Sequence, residues 1–196
     1  MLYIRVTYSY NRNPNWQAKL ESLVFSTFTS NKDTAFGISK EEVAIKIFQE
    51  ENPKLRIITN VGLIINRILP WMGFSPDGFI VNEDGTLTLL EVKSLKAGKK
   101  FTGVNFCKKV SCLLVNEHGV QMKKRHKFYG QIQLSLALGH LSQAKLLLYV
   151  HKNRSVISVD VPIDIQFLGD YIPTLTRTYF DYYLPFIHAN KERLSK

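Results

Sequence analysis

Two short segments constrain this chain most: Phe74-Ser75-Pro76-Asp77-Gly78 and Leu90-Glu91-Val92-Lys93, with the turn signal Glu83-Asp84-Gly85 between them. A three-residue loop ending in a left-handed glycine commonly joins two antiparallel strands. The spacing predicts strands over roughly Gly78–Val81 and Thr86–Ser94. In that register Asn82 faces Thr86 and Asp77 faces Glu91. Directly opposed residues have β-carbons about 4.5–5.5 Å apart. Two carboxylates that close repel unless a cation lies between them. Side chains alternate along a strand, so Glu91 and Lys93 share one face with Leu87 and Leu89, and Val92 takes the other. An apolar face ending in Glu and Lys predicts a divalent-metal site with a lysine beside it. Taken singly the pieces are ordinary: Glu-x-Lys suits a solvated strand edge, and Pro-Asp-Gly is a common turn. A two-residue Asp84-Gly85 turn would shift the pairing by one and weaken the case.

The rest of the composition narrows the partner. The 196 residues suffice for one domain with a full core, and 45% hydrophobic content points to a folded globule. A formal charge of +10 points to an acidic partner, most simply nucleic acid. From Lys93 to Lys127 ten Lys or Arg stand against one acid, Glu117. Within that stretch Lys99, Lys100, Lys123, Lys124 and Arg125 are the candidate phosphate contacts; the plainer alternative is a solvated basic loop. No apolar run reaches membrane-spanning length, and residues 1–10 lack a signal-peptide core. Two cysteines, Cys107 and Cys112, are too few for a disulfide framework. With His118 they supply three zinc ligands and lack an evident fourth. An intracellular setting, cytoplasm or nucleus, is expected.

In chain order, residues 1–14 read as a short strand or arm, 16–28 as a helix, and 29–37 as a connector. Ser39 and Glu42 have capping-box spacing, which predicts a helix from about Ser39 to Glu51, closed by Pro53. Glu41 shares the apolar face with Ala44, Ile45 and Phe48. It fits a carboxylate leaning into the site equally as well as an acid placed for the helix dipole. Residues 55–65 read as a strand broken near Gly62, and 68–72 as another short strand. Residues 95–110 read as a loop, and Ser111–Met122 as a second hairpin turning at Asn116–Gly119. A helix follows over about His126–Leu141, burying Tyr129, Ile132, Leu136 and Gly139. Gln131 and Gln133 stand about 200° apart around it, so only one of them can face the site. Strands over 144–151 and 155–161 precede a long aromatic helix, 163–190, interrupted near Pro173. Its Tyr179, Tyr182, Tyr183 and Phe186 are expected to pack on the sheet. This order predicts a single α/β domain.

Asp-x(13)-Glu-x-Lys in this setting resembles the PD-(D/E)XK nuclease superfamily. Gly37, Glu41 and Ala44, then Ser75-Pro76-Asp77-Gly78, Leu90-Glu91-Val92-Lys93 and Tyr129-Gly130-Gln131-Ile132-Gln133 resemble its lambda exonuclease or YqaJ viral recombinase branch, over residues 34–187. The resemblance implies a restriction-endonuclease-like core, a central mixed β-sheet flanked by helices, over 34–190, after an arm and helix over 1–33. It also implies Mg²⁺, with Mn²⁺ as a substitute, held by Asp77, Glu91 and the Val92 carbonyl, with Glu41 completing the shell. Lys93 would orient or activate the attacking water, and Gln131 would position Lys93 or the water; Gln133 matches the second glutamine of the motif. Hard oxygen ligands suit Mg²⁺. The family's Thr-Ala-Ser-type segment and N-terminal Arg, linked to holding a DNA end, find no match in residues 1–36. Ser26, Thr27, Thr29 and Ser30 are the nearest, so the arm reads as diverged or truncated. Two cysteines argue against an iron–sulfur relative.

The implied function is a Mg²⁺-dependent DNA exonuclease acting on duplex ends in viral or mobile-element recombination. The implied partners are DNA, copies of itself and a single-strand annealing protein. A catalytically silent DNA-binding module and a structure-selective endonuclease on the same fold are the alternatives.

Overall fold

The computed structural model describes residues 14–25 and 32–195, with the side chains of 32–39 left aside. The expected N-terminal strand or arm and the Ser26–Ser30 segment lie outside the described residues. In chain order the elements are α1 (Trp16–Phe25), α2 (Lys32–Glu51), β1 (Arg56–Thr59), β2 (Ile64–Ile65), β3 (Gly73–Phe74), β4 (Gly78–Val81) and β5 (Leu87–Ser94). Then follow a 3₁₀ turn (Lys96–Lys99), α3 (Gly103–Lys109), β6 (Leu113–Asn116), β7 (Gly119–Met122), α4 (Lys127–Leu138), β8 (Gln143–Val150) and β9 (Ser155–Pro162). The chain ends in α5 (Ile165–Thr178), a π-helical turn (Tyr179–Tyr183), α6 (Leu184–Ala189) and α7 (Lys191–Leu194).

The described residues fall into two units, 32–164 and 14–25 with 165–195. In the first, five strands form one mixed sheet in the order β1-β4-β5-β8-β9. Only β5 and β8 pair in parallel; the other neighbours are antiparallel. The central pair explains the apolar run Leu146-Leu147-Leu148-Tyr149-Val150, since a parallel strand is covered on both faces. One face carries Ile80, Leu90, Val92, Leu147 and Tyr149, and α2 lays Ala44 and Phe48 on it. The other face, bearing Leu89, Leu146 and Leu148, is met by α4 with Ile132 and Leu136, all fully buried. This is the expected mixed sheet flanked by helices.

The expected hairpin register holds. Gly78 pairs with Leu90 and Val81 with Leu87. Asn82 N–H bonds Thr86 O at 2.9 Å, and Gly85 takes φ +81 at the end of a three-residue loop. The Asp84 carboxylate accepts from Thr86 N–H at 2.9 Å and so closes the turn. Gly78 has a different task from the turn role its Pro-Asp-Gly context suggests. A β-carbon there would stand 2.7 Å from the backbone oxygen of Ile58, so glycine lets β1 and β4 close up. Gly78→Ala is expected to cost about 1–3 kcal/mol by overpacking, checked by urea denaturation.

Several expectations are corrected. α2 starts at Lys32, so Ser39 lies inside it and not at its start, and most of the expected 29–37 connector is helix. Residues 68–72 form a turn instead of a strand, because Asn66 Oδ1 accepts from the N–H groups of Ile68 and Leu69, both at 2.9 Å. The expected 95–110 loop contains α3, whose Phe106 and Cys107, with Val110 after it, are buried under a basic outer side. The C-terminal helix runs through Pro173 and is irregular only at the π turn. Its aromatic residues pack on α1, a partner the sequence did not indicate. Tyr183 and Phe186 form a core with Leu20, and Tyr182 stacks on Trp16 at 4.8 Å.

Candidate active site

The site forms at the carboxyl end of β5. Asp77, just before β4, is locked in place because its Oδ2 accepts from Val92 N–H at 2.6 Å. The strand alternation puts Glu91 on the α4 face, where it is 2% exposed. Its Oε1 accepts from the Lys93 ammonium and from Gln131 Nε2, the latter at 2.7 Å. Lys93 Nζ also donates to Val92 O at 3.1 Å. Val92 therefore gives its N–H to Asp77 and its carbonyl to Lys93, while its side chain fills the α2 core.

Electrostatics tie Glu41 to the same group. Burial raises its pKa and the Asp77 charge raises it further, while Lys93 lowers it. Burial also pushes Asp77 up, against the pull of Lys93 and the Val92 N–H. Glu91 is pushed up to about 6, first by burial and then by Asp77, with Lys93 opposing. Burial alone would lower Lys93, but Glu91 and Asp77 outweigh it and hold the ammonium above its ordinary value. Three carboxylates against one ammonium leave a local excess of negative charge. Burial, first of all, makes each acid resist ionising there, and the neighbouring carboxylates add to it at Glu41 and Glu91.

The donor set suits a hard divalent cation: carboxylate oxygens and one backbone carbonyl. Among the described residues no three His, Cys, Asp or Glu side chains already form a metal cage. The Lys93 ammonium bonds Glu91 Oε1 and Val92 O, two of the oxygens in that set. These oxygens fit the donor set that a hard divalent cation would take.

The structure chooses between the two glutamines. Gln131 reaches Glu91, whereas Gln133 is fully buried and faces away. Gln133 Nε2 donates to Pro162 O at 2.8 Å, and its Oε1 accepts from Asp164 N–H at 2.7 Å. Among the candidate phosphate contacts, Lys99 ends the 3₁₀ turn with Lys100 beside it, and Lys123, Lys124 and Arg125 lead into α4; all five are exposed. Lys124 is engaged with Asp164 at 2.6 Å. Cys107 and Cys112 are buried thiols, while His118 sits at the exposed β6–β7 tip beside Glu117, so they assemble no zinc site.

Two residues at the start of α4 escaped the sequence reading. His126 Nδ1 caps the helix by accepting from Phe128 N–H at 3.3 Å. The Phe128 ring centroid lies 5.4 Å from Lys93 Nζ. The only sequence sign was an aromatic residue inside a basic run, which does not reveal what lies across from it.

No described helix is long and apolar enough to cross a membrane. No curated protein matches the sequence. Among solved structures, the chain is similar to the alkaline exonuclease LHK-Exo of Laribacter hongkongensis, with 16% identity and a TM-score of 0.65 over 91% of this chain and 85% of that one. LHK-Exo in complex with dAMP gives a TM-score of 0.66 at 16% identity and the same coverage. A phage-related exonuclease from Haemophilus somnus 129PT is 17% identical, with a TM-score of 0.59 over 89% of this chain and 81% of that one. At such identities these likenesses establish a shared fold. The sequence itself goes further, since residues 10–140 match the YqaJ-like viral recombinase domain. That match covers well over half of the chain and includes Glu41, Asp77, Glu91, Lys93 and Gln131, and the chain belongs to the YqaJ-like viral recombinase domain family.

Proposed function

We propose that the protein is a divalent-metal-dependent deoxyribonuclease that digests duplex DNA from its ends. The observation that carries this reading is the meeting of Asp77, Glu91, Lys93 and Gln131 at one strand end, with Glu41 within electrostatic reach. The fold shared with two exonucleases supports it, as does dAMP in the solved LHK-Exo complex. The basic stretch 93–127 supplies counter-charge for a phosphate backbone. Recombination of viral or mobile-element DNA, with a single-strand annealing partner, is the setting that the family suggests.

Asp77, Glu91, the Val92 carbonyl and Glu41 would hold Mg²⁺. Bound there, the ion supplies Lewis-acid polarisation of the phosphate and a lowered pKa for the attacking water. The chain's own residues do the placing. The Val92 N–H fixes the Asp77 carboxylate, and Gln131 fixes the Glu91 carboxylate. Lys93 presents positive charge where a phosphate gains negative charge during attack. The basic residues before α4 draw the DNA backbone to the same strand end.

The deciding experiment compares end-labelled linear duplex with closed circular DNA, with and without Mg²⁺, for the wild type and Asp77→Ala. Metal-dependent loss of the linear DNA alone, absent in the variant, is expected. Cutting of both substrates would identify an endonuclease. A gel shift without cutting would identify a DNA-binding module.

Cation binding should also appear in stability. The folded-state pKa of Glu91, about 6, lies above its ordinary 4.5. Its contribution to stability is therefore present below the unfolded value and lost as pH rises through about 6. A bound dication reverses that loss by neutralising the ionised carboxylate. At a hundredfold excess over Kd, Mg²⁺ is expected to add about 2.7 kcal/mol. Thermal melts at pH 8 and pH 5 check this: the Mg²⁺-induced rise in Tm should be large at the higher pH and shrink at the lower.

A further inference from the structure

Among the described residues, the hydrogen bonds of Lys93 go to oxygens that a metal ion would take. Its ammonium donates to Glu91 Oε1 and Val92 O. With a cation on those oxygens, Lys93 would lose both bonds and its long, rotamer-rich side chain would need another contact to stay in place. The Phe128 ring is the contact that a hydrated or carboxylate-bound ion does not compete for. Its centroid lies 5.4 Å from Lys93 Nζ, within cation–π range.

The ring is itself held. Phe128 is half-buried in the first turn of α4, with its N–H on His126 Nδ1. The His126 imidazole meets the ring edge-on, with centroids 4.6 Å apart at 67°. Lys127 Nζ lies 5.5 Å from the same centroid, so the ring serves two ammonium groups, one inside the site and one exposed. The helix that brings Phe128 to Lys93 also brings Gln131 to Glu91, one turn further on.

We infer that Phe128 is a positioning residue for the nuclease reaction proposed above: its ring face retains the Lys93 ammonium in the site when the cation takes Glu91 and Val92. The inference rests on that nuclease reading and adds to it a residue that touches neither metal nor phosphate.

The test uses Phe128→Leu, which keeps apolar bulk without a ring, and Phe128→Tyr, which keeps the face. Phe128→Leu is expected to slow single-turnover cleavage of linear duplex about three- to thirtyfold with KM unchanged. Phe128→Tyr should restore the rate. In a Lys93→Ala background Phe128→Leu should slow nothing further. A second readout needs no cleavage: in the wild type with Mg²⁺, ring-current shifts should displace the Lys93 ε-methylene resonances upfield. That displacement should vanish in Phe128→Leu and persist in Phe128→Tyr. Equal slowing in both backgrounds, a rise in KM alone, or no ring-current displacement with Mg²⁺ would overturn the inference. A wild type that cuts nothing would overturn the nuclease reading and the positioning role of Phe128 in it, while the resonances still report whether ring and ammonium meet.

Discussion

Lys93→Ala is expected to slow DNA cleavage by about 10²–10⁴, the range for losing one positioned proton donor or charge stabiliser. The loss should fall on kcat, because in the proposed mechanism the ammonium acts on the phosphate under attack and not on the approach of the DNA. The side chain is 20% exposed and its partners are Glu91 Oε1 and Val92 O. Removing it takes away the cation that lowers Glu91 and Asp77, so both acids should move further up. They then avoid ionising instead of unfolding the protein, and Tm in metal-free buffer should change little. Single-turnover kinetics and a thermal melt, run together, check both halves. A variant as active as the wild type would remove Lys93 from the mechanism.

Gln133→Leu should do the opposite: lower stability and leave the chemical step alone. Gln133 is fully buried and joins α4 to the end of β9 through Pro162 O and Asp164 N–H. Leucine matches its bulk but satisfies neither backbone group, and a fully buried group left unpaired costs about 1–3 kcal/mol. Pro162 is exposed and Asp164 half-buried, so water offsets part of that, and a total of about 2–4 kcal/mol lowers Tm by roughly 4–16 °C for a chain of this size. The effect spreads along one network, since Asp164 also accepts from the Tyr129 hydroxyl at 2.8 Å and pairs with Lys124. Gln131→Leu is the contrast. Gln131 is exposed and its amide holds the Glu91 carboxylate, so cleavage should fall while Tm holds. Melting curves and rates for the two variants should therefore exchange places. Equal effects on stability would mean that the two positions share one task.

The two glutamines show where sequence reasoning stops. Helical periodicity says that residues two apart point opposite ways, and this much was legible. Which one meets Glu91 depends on the rotation of α4 over β5, and its packing on the sheet sets that. The hairpin is the reverse case. Its register follows from the Glu83-Asp84-Gly85 loop and a period of two, both local, so Asp77, Glu91 and Lys93 could be placed together from the sequence. Glu41 was legible in part. Its place on the apolar face of α2 was readable, but its charge coupling to Asp77 and Lys93 required the sheet beneath it. The start of α2 misled, because Ser39 and Glu42 stand one turn apart whether they cap a helix or lie inside it.

The C-terminal aromatic residues make the same point. Their spacing showed a helix with an apolar face, and nothing in it distinguished a sheet from another helix as the partner. In the structure Tyr183 and Phe186 bury against Leu20 of α1, more than 150 residues away in sequence. The chain alone thus determined what short-range geometry controls: strand alternation, the loop that sets the register, and the apolar faces of helices. Tertiary structure decided which face meets which, because burial rewards any apolar partner alike and only the assembled packing selects one.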